Sequence, residues 1–417
     1  MSLLLKNCLI NDSESPNHHK TCDLFIDNGL IKSFSEKKAE HEVDVKNKQV
    51  TVGWFDLNAN FNDPGREFKE DIRSGSMVAI HGGFTDVQVI SDTEPPIESK
   101  SDVEYIRNRS TNEIDLYVSA ALSEALGGEN LTEILDLHAA GASSISDGDF
   151  SIWNSELLLK ALQYSSQVGI PVFQNPRDIH LSKNSHIHEG KFSTNLGLRG
   201  EPGLSEVLII KRDLDILKYA GGRLHFSKIS TAESVSIIAR AKEEGLKVTA
   251  DVGIHNLMFT DESIGDFDSN FKSIPPYRSE DDRKALIEGV KSGAIDAICS
   301  NHRPHDQESK QLEFDLADAG SISLQTFYSS LLSLSTEIPF EILIKRVTSG
   351  PRSVLGLPQI SIKEGMPAKL NILDPEASWI LDNSSNRSKS RNSPFWGKEL
   401  QGKVLGVVNG THHHFFE

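Results

Sequence analysis

Short runs of alternating apolar and polar positions occupy the first fifty residues: 3–5, 24–26 and, after the turn pair Asn28-Gly29, 30–34. A period of two buries one face of a strand, so this stretch predicts a small β module. The last fifty residues repeat the style, with alternating apolar and polar positions over 369–373, a polar Ser/Asn/Arg stretch over 383–393 and a Gly/Val-rich run over 402–410. Two β-rich ends around one long middle predict that the termini pair into a single β-sandwich-like domain, residues 1–52 with 362–417, around a central domain of residues 53–361.

In that middle, short β-branched runs alternate with helical patterns, the signature of parallel β/α units. Eight candidate strands emerge, at 50–57, 85–91, 114–121, 143–147, 171–174, 223–227, 247–252 and 294–300. Helical periodicity follows several of them, over 156–166, 232–245 and 280–292. Eight such units predict a closed α/β barrel, the (β/α)₈ or TIM barrel, which takes about 250 residues and leaves room for one smaller module in a chain of 417.

Composition narrows the functions open to such a barrel. Hydrophobic residues at 37% and charged residues at 25% match ordinary globular usage, and no apolar run approaches the roughly 20 residues that span a bilayer. The N-terminus lacks the pattern of a signal peptide, so a cytoplasmic location is expected. Cys8, Cys22 and Cys299 are too few and too scattered for a disulfide framework or a Cys-rich zinc site. A formal charge of −17 without a basic stripe argues against nucleic acid as a partner.

Chemistry in a barrel of this kind sits where strands end and the following loops begin. The strand ends read Asp56-Leu57-Asn58-Ala59-Asn60-Phe61-Asn62-Asp63-Pro64-Gly65, then Ser91-Asp92-Thr93-Glu94-Pro95-Pro96, Ser146-Asp147-Gly148-Asp149 and Gln174-Asn175-Pro176-Arg177. The later ones read His225-Phe226-Ser227-Lys228, Gly253-Ile254-His255 and Ser300-Asn301-His302-Arg303-Pro304-His305.

Together with Gly82-Gly83-Phe84-Thr85, Gly197-Leu198-Arg199-Gly200-Glu201-Pro202, Ile274-Pro275-Pro276-Tyr277-Arg278 and Asn392-Ser393-Pro394-Phe395, these phrases follow a known order. The chain resembles dihydroorotase of the long bacterial class, amidohydrolases that interconvert carbamoyl aspartate and dihydroorotate in pyrimidine synthesis. The resemblance covers almost the whole length. It implies a metal-dependent-hydrolase barrel whose first strand carries Asp-x-His-x-His-x-Arg-x-Pro-Gly and whose zinc is held by histidines and carboxylates at the strand ends.

The departures from that pattern shape the functional expectation. At the positions that the resemblance assigns to metal ligands stand Asn58, Asn60, Asp147 (or Asp149, two residues on), Gln174, Lys228 and Asn301. Neutral amides are poor zinc donors and a protonated lysine is none. Asn301 also replaces the carboxylate that the resemblance makes the proton shuttle. Of the positions that touch substrate in the family, the arginine is Asn62, and two asparagines are Asp92 and Ile274; His255 and His305 remain. An anionic substrate would meet Asp92 and, with Asn62 in place of the arginine, no cationic clamp.

The expectation is therefore a dihydroorotase-like pyrimidine-pathway protein with no zinc and no hydrolytic activity. As inactive relatives of the family do, it would act as a structural or regulatory partner of aspartate transcarbamoylase, and the resemblance implies that this chain is a homodimer. The alternative is an active dihydroorotase, or another hydrolase of a cyclic amide, with an atypical site regrouped around Asp147, His255, His302 and His305. Three subsidiary expectations follow: Lys228 replaces the metal's charge with Asp147 as its partner, Arg303 fills the cavity, and His186 and His188 form a surface pair. The residues His412 to His414 read as native sequence with only adventitious affinity for metal.

Overall fold

The computed structural model describes residues 2–35, 37–111 and 113–416. Eight parallel strands follow one another around the central domain: Trp54–Ala59, Phe84–Val89, Asp115–Ala120, Ala142–Ile145, Val172–Gln174, Leu224–Phe226, Val248–Gly253 and Ala297–Cys299. They are called strands one to eight below. The eighth meets the first through a parallel bridge between Ala59 and His302, where the Asn60 amide donates to the His302 carbonyl at 3.0 Å. The barrel is nearly closed, as the run of eight β/α units predicts.

The helices between strands form where the sequence supplies a cap and an apolar stripe. Glu280–Ser292 starts at Ser279, whose hydroxyl accepts from the Asp282 amide, has three carboxylates in its first turn and stops at Gly293 with φ of 90°. Its buried Leu286, Ile287 and Val290 recur at helical spacing on the face turned to the barrel. The expected helices over 156–166 and 232–245 are observed as Ser155–Val168 and Ala232–Glu243. At the end of the barrel opposite the strand-end loops, Phe55, Leu57, Phe173 and Ala297 pack with Val354 and Leu355 of helix Ser349–Leu355, so that end is closed by apolar side chains.

The termini do pair. One mixed sheet runs in the order His412–Phe415, Glu399–Asn409, Lys369–Ile380, Gln49–Val52, Ser2–Ile10, Thr21–Asp27 and Leu30–Ser33, with His41–Asp44 parallel to Ser2–Ile10. The sheet curls back on itself, because the His41 ring lies 5.5 Å from that of His413 and Leu30 bridges to Pro367. Lys369 ties this sheet to the barrel through Asp86 at 2.9 Å and Asp115 at 2.7 Å. Among the described residues, no helix is long and apolar enough to cross a membrane.

The first expected strand, 50–57, divides between the two sheets. Residues Gln49–Val52 belong to the terminal sheet and Trp54–Ala59 to the barrel, with Gly53 at the crossing. A Cβ on Gly53 would lie 2.3 Å from the Thr85 side chain. The Gly53 amide donates to Lys369 at 2.9 Å, so the backbone cannot simply retreat. Gly53→Ala is expected to destabilise the chain by about 1–3 kcal/mol, the usual cost of overpacking. Urea unfolding of the purified variant checks this, and an unchanged midpoint would show that Thr85 yields freely.

Candidate functional site

Four charged side chains meet over the open end of the barrel, each delivered by a different strand end. Asp92 follows strand two, Asp149 follows strand four, Lys228 follows strand six and Arg303 follows strand eight. The Lys228 ammonium donates to Asp149 Oδ1 and lies 3.3 Å from Asn301 Oδ1. Arg303 Nη2 bridges the two carboxylates, 2.7 Å from Asp92 Oδ2 and 2.5 Å from Asp149 Oδ2. Asn60 Nδ2 completes the cluster by donating to Asp92 Oδ1 at 3.2 Å.

The local backbone is shaped to bring these groups together. Lys228, Asn301 and Asn62 adopt left-handed φ values of 56°, 51° and 56°, a conformation that costs a lysine more than an asparagine. At Lys228 it is held by the backbone amide, which donates to Asp251 Oδ1 at 2.6 Å. Asp251 in turn takes His225 Nε2 at 3.0 Å, and His225 Nδ1 lies 2.8 Å from the Thr249 hydroxyl. The turn after strand six is therefore fixed from beneath by a buried chain of hydrogen bonds, and the lysine side chain is fully enclosed.

Two cations and two carboxylates sum to zero formal charge. Burial pushes the Asp149 carboxyl up, but the Arg303 guanidinium and then the Lys228 ammonium outweigh it and hold the group well below the usual carboxylate range. At Asp92 burial prevails over the attraction of Arg303, and its carboxyl lies above the ordinary value. The side chains of Asp92, Asp149 and Arg303 are only 9%, 20% and 11% exposed, so these pairs are little screened by solvent. The cluster can neutralise itself; it offers no unpaired cation to an anionic substrate.

The other positions singled out by sequence fall into two groups. Asn301 belongs to the cluster, and its Nδ2 donates to the Ile274 carbonyl at 3.3 Å. Asn62 lies beside it with its amide used on the Pro304 carbonyl at 3.4 Å and its backbone N–H on Asn60 Oδ1 at 2.6 Å. Asn58 is buried, and its Oδ1 has no hydrogen-bond partner among the described residues. His255 lies 3.1 Å from the Ser321 hydroxyl through Nδ1, with Nε2 unpartnered. Burial, and then nearby His302, lower the His255 pKa to about 3, so the ring is neutral at neutral pH.

Three placements differ from expectation. Asp147 is not the partner of Lys228: it accepts from the Leu122 and Ser123 amides at 2.9 and 2.8 Å and from the Ser123 hydroxyl at 2.6 Å. The Gly148 turn with φ of 63° sends Asp149 to the mouth instead. Gln174 is turned away from the cluster, bonded to Ile152 and to Asp213 Oδ2 at 2.8 Å. Burial raises that aspartate to about 6, and nothing in the sequence marks this mid-helix residue as a partner. His305 is held at the rim by Lys69 at 3.2 Å and Asp318 at 3.3 Å, away from the four charges.

His188 is also less free than a surface pair implies, since its ring is half-buried and Nδ1 lies 3.4 Å from Arg278 Nη1. Among the described residues, no group of three or more His, Cys, Asp or Glu side chains is arranged to hold a metal ion.

Comparison with known proteins places this geometry in context. The model of the dihydro-orotase-like family matches residues 48–234. A dihydroorotase of Caldicellulosiruptor saccharolyticus is 37% identical over 415 residues, covering 97% of this chain and 96% of that protein. One of Syntrophus aciditrophicus is 34% identical over 414 residues, covering 97% of each. Among solved structures, the L-hydantoinase (dihydropyrimidinase) from Arthrobacter aurescens superposes with a TM-score of 0.87 at 22% identity, over 99% of this chain and 96% of that one. That last likeness is one of fold, a (β/α)₈ barrel with a terminal β domain.

Proposed function

The chain belongs to the dihydroorotase family, and from that premise we propose that it is a homodimeric member without zinc-dependent hydrolysis that serves pyrimidine biosynthesis as a structural or regulatory partner of aspartate transcarbamoylase. The observation that carries this reading is the Lys228–Asp149–Arg303–Asp92 cluster.

The metal that the family implies is zinc, and the residues here do not suit it. Zinc sites use imidazole, thiolate and carboxylate donors. Asn58 and Asn60 offer amides, Gln174 faces a helix, and Lys228 brings a positive charge to Asp149. A divalent cation at Asp149 would lie against two groups of its own sign, each already hydrogen-bonded to that carboxylate. In this reading Lys228 and Arg303 supply the charge that an ion would supply, and they supply it without a bound water to activate.

Support for a partner role comes from what is kept. The barrel, the terminal sheet and the strand-end loops are all present, and the likeness to active-named relatives runs over the full length. The second reading, hydrolysis of a cyclic amide by an atypical site, draws on that same full-length identity and on the buried, unpartnered Nε2 atom of His255.

One experiment separates the two. Protein incubated with zinc and desalted is expected to retain well under one equivalent of metal and to turn over neither dihydroorotate nor carbamoyl aspartate. Stoichiometric zinc with turnover would establish the second reading. Co-elution with purified aspartate transcarbamoylase on gel filtration is expected in either zinc state, and separate elution would refute the partner role.

A further inference from the structure

The loops after strands seven and eight form a single raised lobe on the rim of the barrel. Lys272 reaches from the first loop to the Phe314, Asp315 and Ala317 carbonyls at 2.8, 2.9 and 2.7 Å. Lys310 reaches from the second to the Ser269, Asp318 and Gly320 carbonyls at 2.6, 2.7 and 3.2 Å. The second loop therefore caps the first loop's Lys272 with backbone oxygens, while Lys310 is capped by Ser269 of the first loop and by two carbonyls of its own loop. Beneath them Ile187, Ile264 and Phe314 pack with Phe271, so the lobe has its own small core.

Its outer surface combines two features. Phe267, Leu312 and Leu316 stand 45%, 48% and 64% exposed, and the Phe267 ring lies 6.3 Å from that of the buried Phe314, whose segment carries the two leucines. Around them Glu262, Asp266, Asp268, Glu308, Glu313 and Asp315 are exposed. None of these six is in an ion pair among the described residues, and both lysines of the lobe are turned inward. Large apolar side chains left in water with a polar rim mark interaction sites more often than accident. A rim of one sign selects the sign of the partner.

We propose that this lobe docks a basic amphipathic helix presented by a partner protein, with apolar side chains on Phe267, Leu312 and Leu316 and lysines or arginines against the carboxylate rim. The proposal deepens the reading of the chain as a partner protein by giving the chemistry of the surface that it engages. A second copy using the same face is disfavoured, because a two-fold interface would set one acidic rim against another. The preformed lobe lowers the ordering cost of binding, since its backbone is already fixed by the two buried lysines.

The test uses the full-length chain and a fluorescein-labelled amphipathic Lys/Leu peptide of about 18 residues, long enough for a stable helix on a surface. Anisotropy titration is expected to give saturable binding that weakens with salt. Phe267→Ser with Leu316→Ser, and separately Glu313→Lys with Asp315→Lys, are each expected to weaken it by at least about tenfold. The control Glu243→Lys with Glu244→Lys, on a distant helix end, is expected to bind as the parent does.

All substituted side chains are exposed, and circular dichroism verifies folding of each variant. Equal binding by parent and lobe variants overturns the proposal. So does equal affinity for a peptide of the same composition in scrambled order, or a change in self-association of the lobe variants on sedimentation. Zinc-dependent turnover would remove the non-catalytic reading and leave these binding curves untouched, whereas loss of peptide binding would leave that reading standing.

Discussion

Lys228→Met is expected to destabilise the folded chain by about 3–5 kcal/mol, the range found when one member of a buried ion pair is removed. The ammonium is fully enclosed and bonded to Asp149 and Asn301, so its loss leaves the carboxylate to Arg303 alone. That guanidinium already holds Asp92 at 2.7 Å, and two carboxylates would then share one cation. Asp149→Leu added to Lys228→Met is expected to recover most of the loss, because apolar residues of similar volume replace a buried pair at little net cost. Equilibrium urea unfolding of the parent, both single variants and the double variant gives the coupling directly.

The pH dependence follows from the depressed Asp149 carboxyl. Its folded-state pKa lies below the unfolded value of about 3.9, so its contribution is complete above about pH 4 and is lost as pH falls through the folded value. The deficit of Lys228→Met is therefore expected to be largest at neutral pH and to shrink in strong acid. A deficit independent of pH would mean that the lysine acts through packing of its methylenes.

The barrel was readable because its physics is repetitive: short buried strands, capped helices and loops recur eight times, and each repetition supports the others. The division of the first strand at Gly53 was not readable. Val50 to Leu57 reads as one mostly apolar strand, and only the approach of Thr85 from the neighbouring strand shows why the chain changes sheets at Gly53. At the candidate site, Lys228, Arg303 and Asp92, read from three separate strand ends, meet in one cluster with Asp149. The choice between Asp147 and Asp149 depended on the left-handed turn at Gly148, and the fate of Gln174 depended on Asp213, thirty-nine residues away on a helix. Contacts of that kind leave no periodic trace in a sequence. The acidic lobe was equally hidden, since Lys272 and Lys310 look like ordinary surface charges until their carbonyl partners are seen.

Rebuilding the donors should reverse the proposed loss of zinc binding, and the pattern of partial reversals identifies which group opposes it. Combining Asn58→His, Asn60→His and Lys228→His with Arg303→Ala gives three imidazoles beside Asp149, the number and kind of donors that a four-coordinate zinc takes. Gln174 is left unchanged, because its amide satisfies Ile152 and the buried Asp213. This quadruple variant is expected to hold one zinc with submicromolar Kd, more than about 8 kcal/mol of binding free energy. The triple variant that keeps Arg303 is expected to bind at least about a hundredfold more weakly, since the guanidinium lies 2.5 Å from the carboxylate oxygen that the ion needs. Competition against a chromophoric chelator measures both affinities, and metal analysis after desalting gives the stoichiometry. Arg303→Ala alone is expected to gain no zinc, because it frees one side of Asp149 while Lys228 still holds the other. If the unaltered chain competes for zinc as well as the quadruple variant does, the ammonium and guanidinium are not standing where an ion would, and the non-catalytic reading fails with them.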